Sequence, residues 1–191
     1  FWRSLGLSPE PIDVLAVIER RAKRYYGTSH DTKGTVRLAD SRQAEALQPE
    51  TPETRFDWVI TSPPYYGMRT YIPDQWLRNW FVGGADVVDY SSSDQIVHSS
   101  PEAFAEDLRR VWRNANEVCA EEAKMVIRFG GITDRRADPL ELIKSSLTDS
   151  GWRITTIKVA GAATEGKRQA DTFLRTKSKP MVEYDVWAMR V

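Results

Sequence analysis

The chain has 191 residues, and its 27 Lys and Arg balance 27 Asp and Glu, so net charge argues neither for nor against a polyanionic partner. Seven Trp, six Phe and ordinary apolar content supply one substantial core, expected as a single domain over residues 1–191. A lone cysteine, Cys119, and two histidines without ligand spacing, His30 and His98, exclude a disulfide framework and a thiolate zinc cluster, so no metal is expected.

In chain order, Ile12 to Tyr26 place Ile12, Leu15, Ala16, Ile18, Ala22 and Tyr25 at helical spacing, with Arg20, Arg21, Lys23 and Arg24 between them. After the turn "GTSHDTKG", the stretch "TVRLAD" reads as a short strand ending at Asp40. The polar loop "PETPET" leads into a second strand, "FDWVIT", stopped by Ser62-Pro63-Pro64-Tyr65. "PDQWLRNWF" reads as a helix, and "GGADVVDYSSSDQIVHSS" as a long loop of the kind that often carries function. Ser100-Pro101 starts the longest helix, which runs through Phe104, Leu108, Val111, Trp112 and Val118 and is expected to carry Cys119. "KMVIRFGG" is a strand, "DPLELIKSSLTDSG" a helix closed by Gly151, and "WRITTIKVAG" and "PMVEYDVWAMRV" are two final strands with only a loop between them. Strands alternating with helices predict an α/β, mostly parallel sheet with an antiparallel C-terminal strand pair. No apolar run reaches bilayer length and no basic leader precedes an apolar segment, which reads as a cytoplasmic chain without a membrane partner.

In open α/β sheets ligands sit at the carboxyl ends of the strands, where both Ser62–Tyr65 and Asp40 are expected. "SPPY" after a hydrophobic strand resembles the catalytic motif of the S-adenosylmethionine-dependent amino-methyltransferases of DNA, which methylate cytosine N4 or adenine N6. The surrounding frame, "RLADSR" upstream and "KMVIRFGG" with a helix and strand downstream, extends the resemblance from Thr35 to Val191. It implies a Rossmann-like methyltransferase sheet, with S-adenosylmethionine as cofactor and DNA as partner.

The chemistry explains the residue types. An exocyclic amine of a nucleobase is a poor nucleophile because its lone pair is delocalised into the ring. Two acceptors aimed at its N–H groups, Ser62 Oγ and the Pro63 carbonyl, favour a tetrahedral nitrogen and free the lone pair for in-line attack on a sulfonium methyl. Pro64 fixes where the Pro63 carbonyl points. Tyr65 stacks on a base turned out of the duplex. The resemblance implies these same roles, and a serine at the first motif position favours cytosine N4 over adenine N6.

Asp40 and Ser62 are the candidate cofactor contacts. Asp40 before Ser41 is equally a common turn or N-cap. Arg69, Tyr71 and Arg78 lie where they could meet phosphate or base, and "GKRQADTFLRTKSK", with Lys167, Arg168, Arg175, Lys177 and Lys179, is the basic loop best placed for phosphate contact. A solvated basic loop is its bland counterpart. Three motifs are decoys. "GAATEGKR" fits part of a phosphate loop but has Arg168 where a magnesium-binding Ser or Thr belongs; "FVGGAD" follows a helical pattern and reads as a helix terminator; Cys119 reads as a small core residue.

The family's cofactor half, a strand ending in a glycine loop and a second strand ending in an acid for the ribose, is not found in this sequence. The chain opens on Phe rather than Met and is expected to be a processed or partial catalytic portion, with the missing half on an upstream segment or a partner chain. The competing readings are an RNA or protein-amide methyltransferase, and a non-catalytic domain that binds nucleic acid or assembles a methyltransferase complex.

Overall fold

The computed structural model describes residues 4, 6, 11–27, 34–67, 71–89, 96, 98–131, 137–162 and 182–191, with the side chains of 71–74 set aside. The chain divides into two units, Phe1–Arg37 and Leu38–Val191. The first holds helix α1 (Val14–Tyr26), whose N-cap Asp13 accepts a hydrogen bond from the Ala16 amide at 3.0 Å. That cap sets the helix start two residues after Ile12, the first residue of the apolar pattern. Val14, Leu15 and Ile18 on α1 are exposed.

The second unit contains β1 (Phe56–Thr61), α2 (Tyr71–Phe81), α3 (Pro101–Val118), β2 (Cys119–Phe129), α4 (Pro139–Leu147), β3 (Trp152–Ala162) and β4 (Val182–Arg190). The four strands form one sheet in the order β1-β2-β4-β3. β1 pairs parallel with β2, whereas β4 runs antiparallel to both β2 and β3. β1, β2 and β3 therefore point the same way, with α2 and α3 between β1 and β2 and α4 between β2 and β3, and β4 is the reversed strand among the described residues. This is a Rossmann-like mixed sheet: the parallel β1–β2 pair and the antiparallel C-terminal pair are as the strand pattern predicts, while the β2–β4 ladder is antiparallel as well.

Local chemistry sets each boundary. Ser100 caps α3 by accepting from the Ala103 amide, with Pro101 at the first helical position. Asp138 caps α4 by accepting from the Leu140 and Glu141 amides. Helix α2 ends at the glycine pair: the Gly84 amide donates to the Asn79 carbonyl, the Gly83 amide to that of Trp80, and Gly83 takes φ +92. "FVGGAD" is thus a helix terminator. Cys119, expected on the long helix, is instead its C-cap and the first residue of β2. The helix pattern stops at Val118 because the alternation of buried and exposed residues that marks β2 takes over there.

The core lies between one face of the sheet and helices α3 and α4. Met125, Ile127, Phe129, Val186 and Ala188 of the sheet meet Phe104, Leu108 and Trp112 of α3 and Leu142, Ile143 and Leu147 of α4. Trp112 Nε1 donates to Ser146 Oγ at 3.0 Å, and Trp152 Nε1 donates to the Trp112 carbonyl at 2.9 Å, so the indoles are buried with their polar atoms satisfied. The opposite face is different. It carries Trp58, Ile60, Val126 and Trp187, edged by Lys124 and Arg128, and Ile60 is 77% exposed.

The strand expected over "TVRLAD" does not form. Residues 34–38 have no regular structure, and Val36 and Leu38 are fully exposed at 98% and 105%. An extended segment becomes a strand only when a neighbouring strand pairs with it, and the ladders among the described residues join β1, β2, β4 and β3 alone.

Candidate active site

Ser62, Pro63, Pro64 and Tyr65 leave the carboxyl end of β1 and cross the end of β2. Pro63 is buried, Ser62 is exposed, and Tyr65 is half-buried. The Tyr65 ring packs edge-on against Phe129 with centroids 5.5 Å apart, and its hydroxyl donates to Glu183 Oε1 at 2.6 Å. Gly130, the residue after β2, makes this approach possible: a β-carbon there would lie 2.9 Å from Glu183 Cγ and 3.4 Å from the Tyr65 ring. The next residues are held as well. The Gly67 amide donates to His98 Nδ1 at 3.0 Å, and Tyr66 packs edge-on against Phe104 of α3 at 5.5 Å. An Nδ1 that accepts must be unprotonated, so His98 carries any ring proton on Nε2.

Asp40 caps a turn. Its carboxylate accepts from the Arg42 amide at 3.0 Å, from Arg42 Nε at 3.0 and 3.1 Å, and from the Arg42 guanidinium at 2.8 Å. The side-chain hydrogen bond from Arg42, more than any other cause, holds the Asp40 carboxyl below the usual carboxylate range. Arg42 also reaches Asp107 of α3 at 3.1 Å. Phe104 and Asp107 lie one turn apart on α3, so a single helix face braces both the Tyr66 side of the motif and the Asp40 turn. Among the described residues no hydrogen bond links Asp40 itself to Ser62–Tyr65.

Of the proposed nucleic-acid contacts, Arg69, Lys167, Arg168 and Lys177 lie outside the described residues. Tyr71 opens α2, but its side chain is outside them too. Gly161 and Ala162 of the phosphate-loop decoy end β3, and the rest of that motif is outside. Cys119 is buried, and burial pushes its thiol up, which leaves it a core residue without nucleophilic character. No group of His, Cys, Asp and Glu among the described residues could hold a metal ion, and no helix among them is long and apolar enough to cross a membrane.

Glu183, Gly130 and His98 are the site residues that sequence pattern did not single out. Glu183 is the second residue of an alternating strand, where a glutamate usually faces water, and His98 lies in a Ser-rich stretch. Only the paired glycine "FGG" at the end of a buried strand hinted at a close approach.

Comparison with known proteins gives no matching family model and no matching curated protein. Solved structures do match. A presumed DNA modification methylase from Thermus thermophilus, complexed with S-adenosyl-L-methionine, is 19% identical at TM-score 0.44, covering 80% of this chain and 54% of its own. A SAM-dependent methyltransferase from Methanosarcina mazei is 10% identical at TM-score 0.42, covering 92% and 76% respectively. A 16S rRNA (adenine(1408)-N(1))-methyltransferase from Catenulisporales acidiphilia is 16% identical at TM-score 0.32, covering 71% and 53%. The chain spans about half the length of the Thermus structures, 50% to 54%.

Proposed function

We propose that this chain is the catalytic part of an S-adenosylmethionine-dependent amino-methyltransferase of DNA, acting on cytosine N4. The observation that carries the reading is the placement of Ser62–Tyr65 at the carboxyl end of β1, with Ser62 exposed and the Tyr65 ring braced by Phe129 and Glu183.

Among the described residues, Ser62 and Asp40 are the candidate cofactor contacts, Asp40 toward the adenine as the resemblance implies. Ser62 is open to a ligand, and Asp40 lies in the preceding turn with its carboxylate already holding Arg42, while the glycine turn and ribose acid belong to the missing half. When bound, S-adenosylmethionine supplies an electrophilic methyl on a sulfonium. The chain's own residues act on the amine. Ser62 Oγ and the Pro63 carbonyl would accept its two N–H bonds, freeing the lone pair; the C–N bond would form as the sulfonium's S–methyl bond breaks to leave a neutral thioether, and the nitrogen would release one proton to water. Tyr65 stacks on the extruded base, and Arg69, Tyr71, Lys167, Arg168 and Lys177 contact the DNA.

The cofactor half arrives on an upstream segment or a partner chain. Two features support this: among the described residues β1 is an edge strand of the sheet, and the face bearing Trp58 and Ile60 leaves apolar surface exposed. A labelled-methyl assay against DNA, RNA and protein pools, with the cofactor half supplied, tests the function. Label in DNA as N4-methylcytosine is expected; label only in RNA or protein would refute the substrate assignment.

A further inference from the structure

Tyr65 reaches across the end of β2 to a carboxylate on β4, and the surrounding backbone is built to allow it. Glu183 lies one residue before the last ladder pair of β2 and β4, Phe129 with Tyr184, which sets it beside Gly130. On its other side its ladder partner in β3 is Gly161, which takes φ +117. Glu183 therefore has a glycine for a neighbour on both strands, and at Gly130 the missing side chain leaves the space into which Tyr65 extends. Among the described residues, Arg128 on β2 pairs with Asp185 through Nε at 2.8 Å and the terminal nitrogen at 2.9 Å. The Glu183 carboxylate accepts its hydrogen bond from the tyrosine.

We propose that Glu183 is a positioning residue that holds the Tyr65 ring at the end of β2 in the orientation needed to stack on the target base. A tyrosine ring has two soft torsions. Phe129 restrains it by an edge contact, and a short hydrogen bond from hydroxyl to carboxylate removes much of the remaining freedom. A ring fixed before the base arrives spends less ordering entropy when the base stacks. Glu183 acts through Tyr65 and touches neither the reacting amine nor the methyl. What Tyr65 does in catalysis rests on the methyltransferase reading, whereas the clamp rests on geometry alone.

The experiment reads the two separately. The protein, complete with its cofactor half, is labelled with 3-fluorotyrosine, and the Tyr65 fluorine line is identified by its loss in Tyr65→Phe. Glu183→Ala is expected to shift that line and narrow it, and Glu183→Gln, which keeps an acceptor, to leave it near the wild-type position. In methyl transfer Glu183→Ala should lower kcat by roughly ten- to a hundredfold, the scale of a displaced catalytic group, with KM for DNA nearly unchanged. Tyr65→Phe should match it, and the double variant Tyr65→Phe/Glu183→Ala should be no worse than either, because both single changes remove the same bond. An unmoved fluorine line in Glu183→Ala, or losses that multiply in the double variant, would overturn the proposal. A wild-type protein that transfers no methyl would refute the functional reading, and the fluorine lines would still decide the clamp.

Discussion

Gly130→Ala tests how tightly the end of β2 is packed around Tyr65. The added β-carbon would stand 2.9 Å from Glu183 Cγ and 3.4 Å from two ring atoms of Tyr65. Ordinary carbon contacts lie at about 3.5–4.0 Å, so the ring contact needs only a small adjustment while the Cγ contact cannot persist. Cγ is near the root of the glutamate, so relief requires a rotation that carries the carboxylate away from the Tyr65 hydroxyl. The loss combines overpacking, about 1–3 kcal/mol, with a charge-assisted hydrogen bond in a half-exposed setting, and the smaller end of each applies because both partners can relax into solvent. Unfolding free energy should fall by about 1–2 kcal/mol, read from the shift of the urea midpoint at constant slope. The same geometry sets a stricter condition. Glu183→Ala deletes the obstructing Cγ, so it should cost less when combined with Gly130→Ala than in the wild type, and the double variant should lose less than the sum of the two single losses. Independent, additive losses, or a stability within about 0.5 kcal/mol of wild type for Gly130→Ala, would show that Gly130 does not make room for the clamp.

Replacing Lys167, Arg168 and Lys177 with Ala should weaken DNA binding and reduce the log–log salt slope by roughly three units, since each duplex phosphate contact releases condensed counterions; an unchanged slope would make this a solvated loop. The Arg128 hydrogen bond lowers the Asp185 carboxyl below its ordinary value of 3.8, so the pair's contribution is present above that pH and is lost as pH falls through the lowered folded value. Asp185→Asn should therefore cost stability at pH 7, by less than about 1 kcal/mol for so exposed a pair, and cost nothing at the acid end, as compared by urea titration at both pH values. Ile60→Lys should leave the far-ultraviolet circular dichroism unchanged and reduce association of the chain with its cofactor half in sedimentation; unaltered association would remove the bare sheet face as a docking surface.

Much of the fold was legible in the sequence because its signals are local. Ser100-Pro101 and Asp138-Pro139 carry the capping chemistry of α3 and α4, and both helices start there. The glycine pair that ends α2 was legible for the same reason. The antiparallel C-terminal pair followed from the lack of a helical pattern in the sequence between the last two strands. "TVRLAD" misled because its alternation specifies a strand only in the presence of a neighbour, and pairing is not a local property. Cys119 was placed on the helix because apolar residues at a helix end and at a strand start look alike, and only the buried-exposed alternation of β2 separates them. In the site, the Pro-Pro stop and its position at a strand end were visible from Phe56 to Tyr65. The braces were not: Glu183 is 118 residues from Tyr65 and His98 is 31 residues from Gly67, and contacts over such separations leave no trace in spacing.

Transfer of a labelled methyl group to DNA by the wild-type protein and by Ser62→Ala and Tyr65→Ala, each supplied with the cofactor half and each assayed beside its DNA affinity, tests the central claim most directly. Both side chains are assigned to the reacting amine or the base it belongs to, so their loss should remove interactions made mainly in the transition state. Turnover should drop about a hundredfold for Ser62→Ala, by analogy with loss of one oxyanion-hole donor, and at least comparably for Tyr65→Ala, while DNA affinity changes little. Wild-type turnover from both variants would contradict the account and leave Ser62–Tyr65 as the end of a strand.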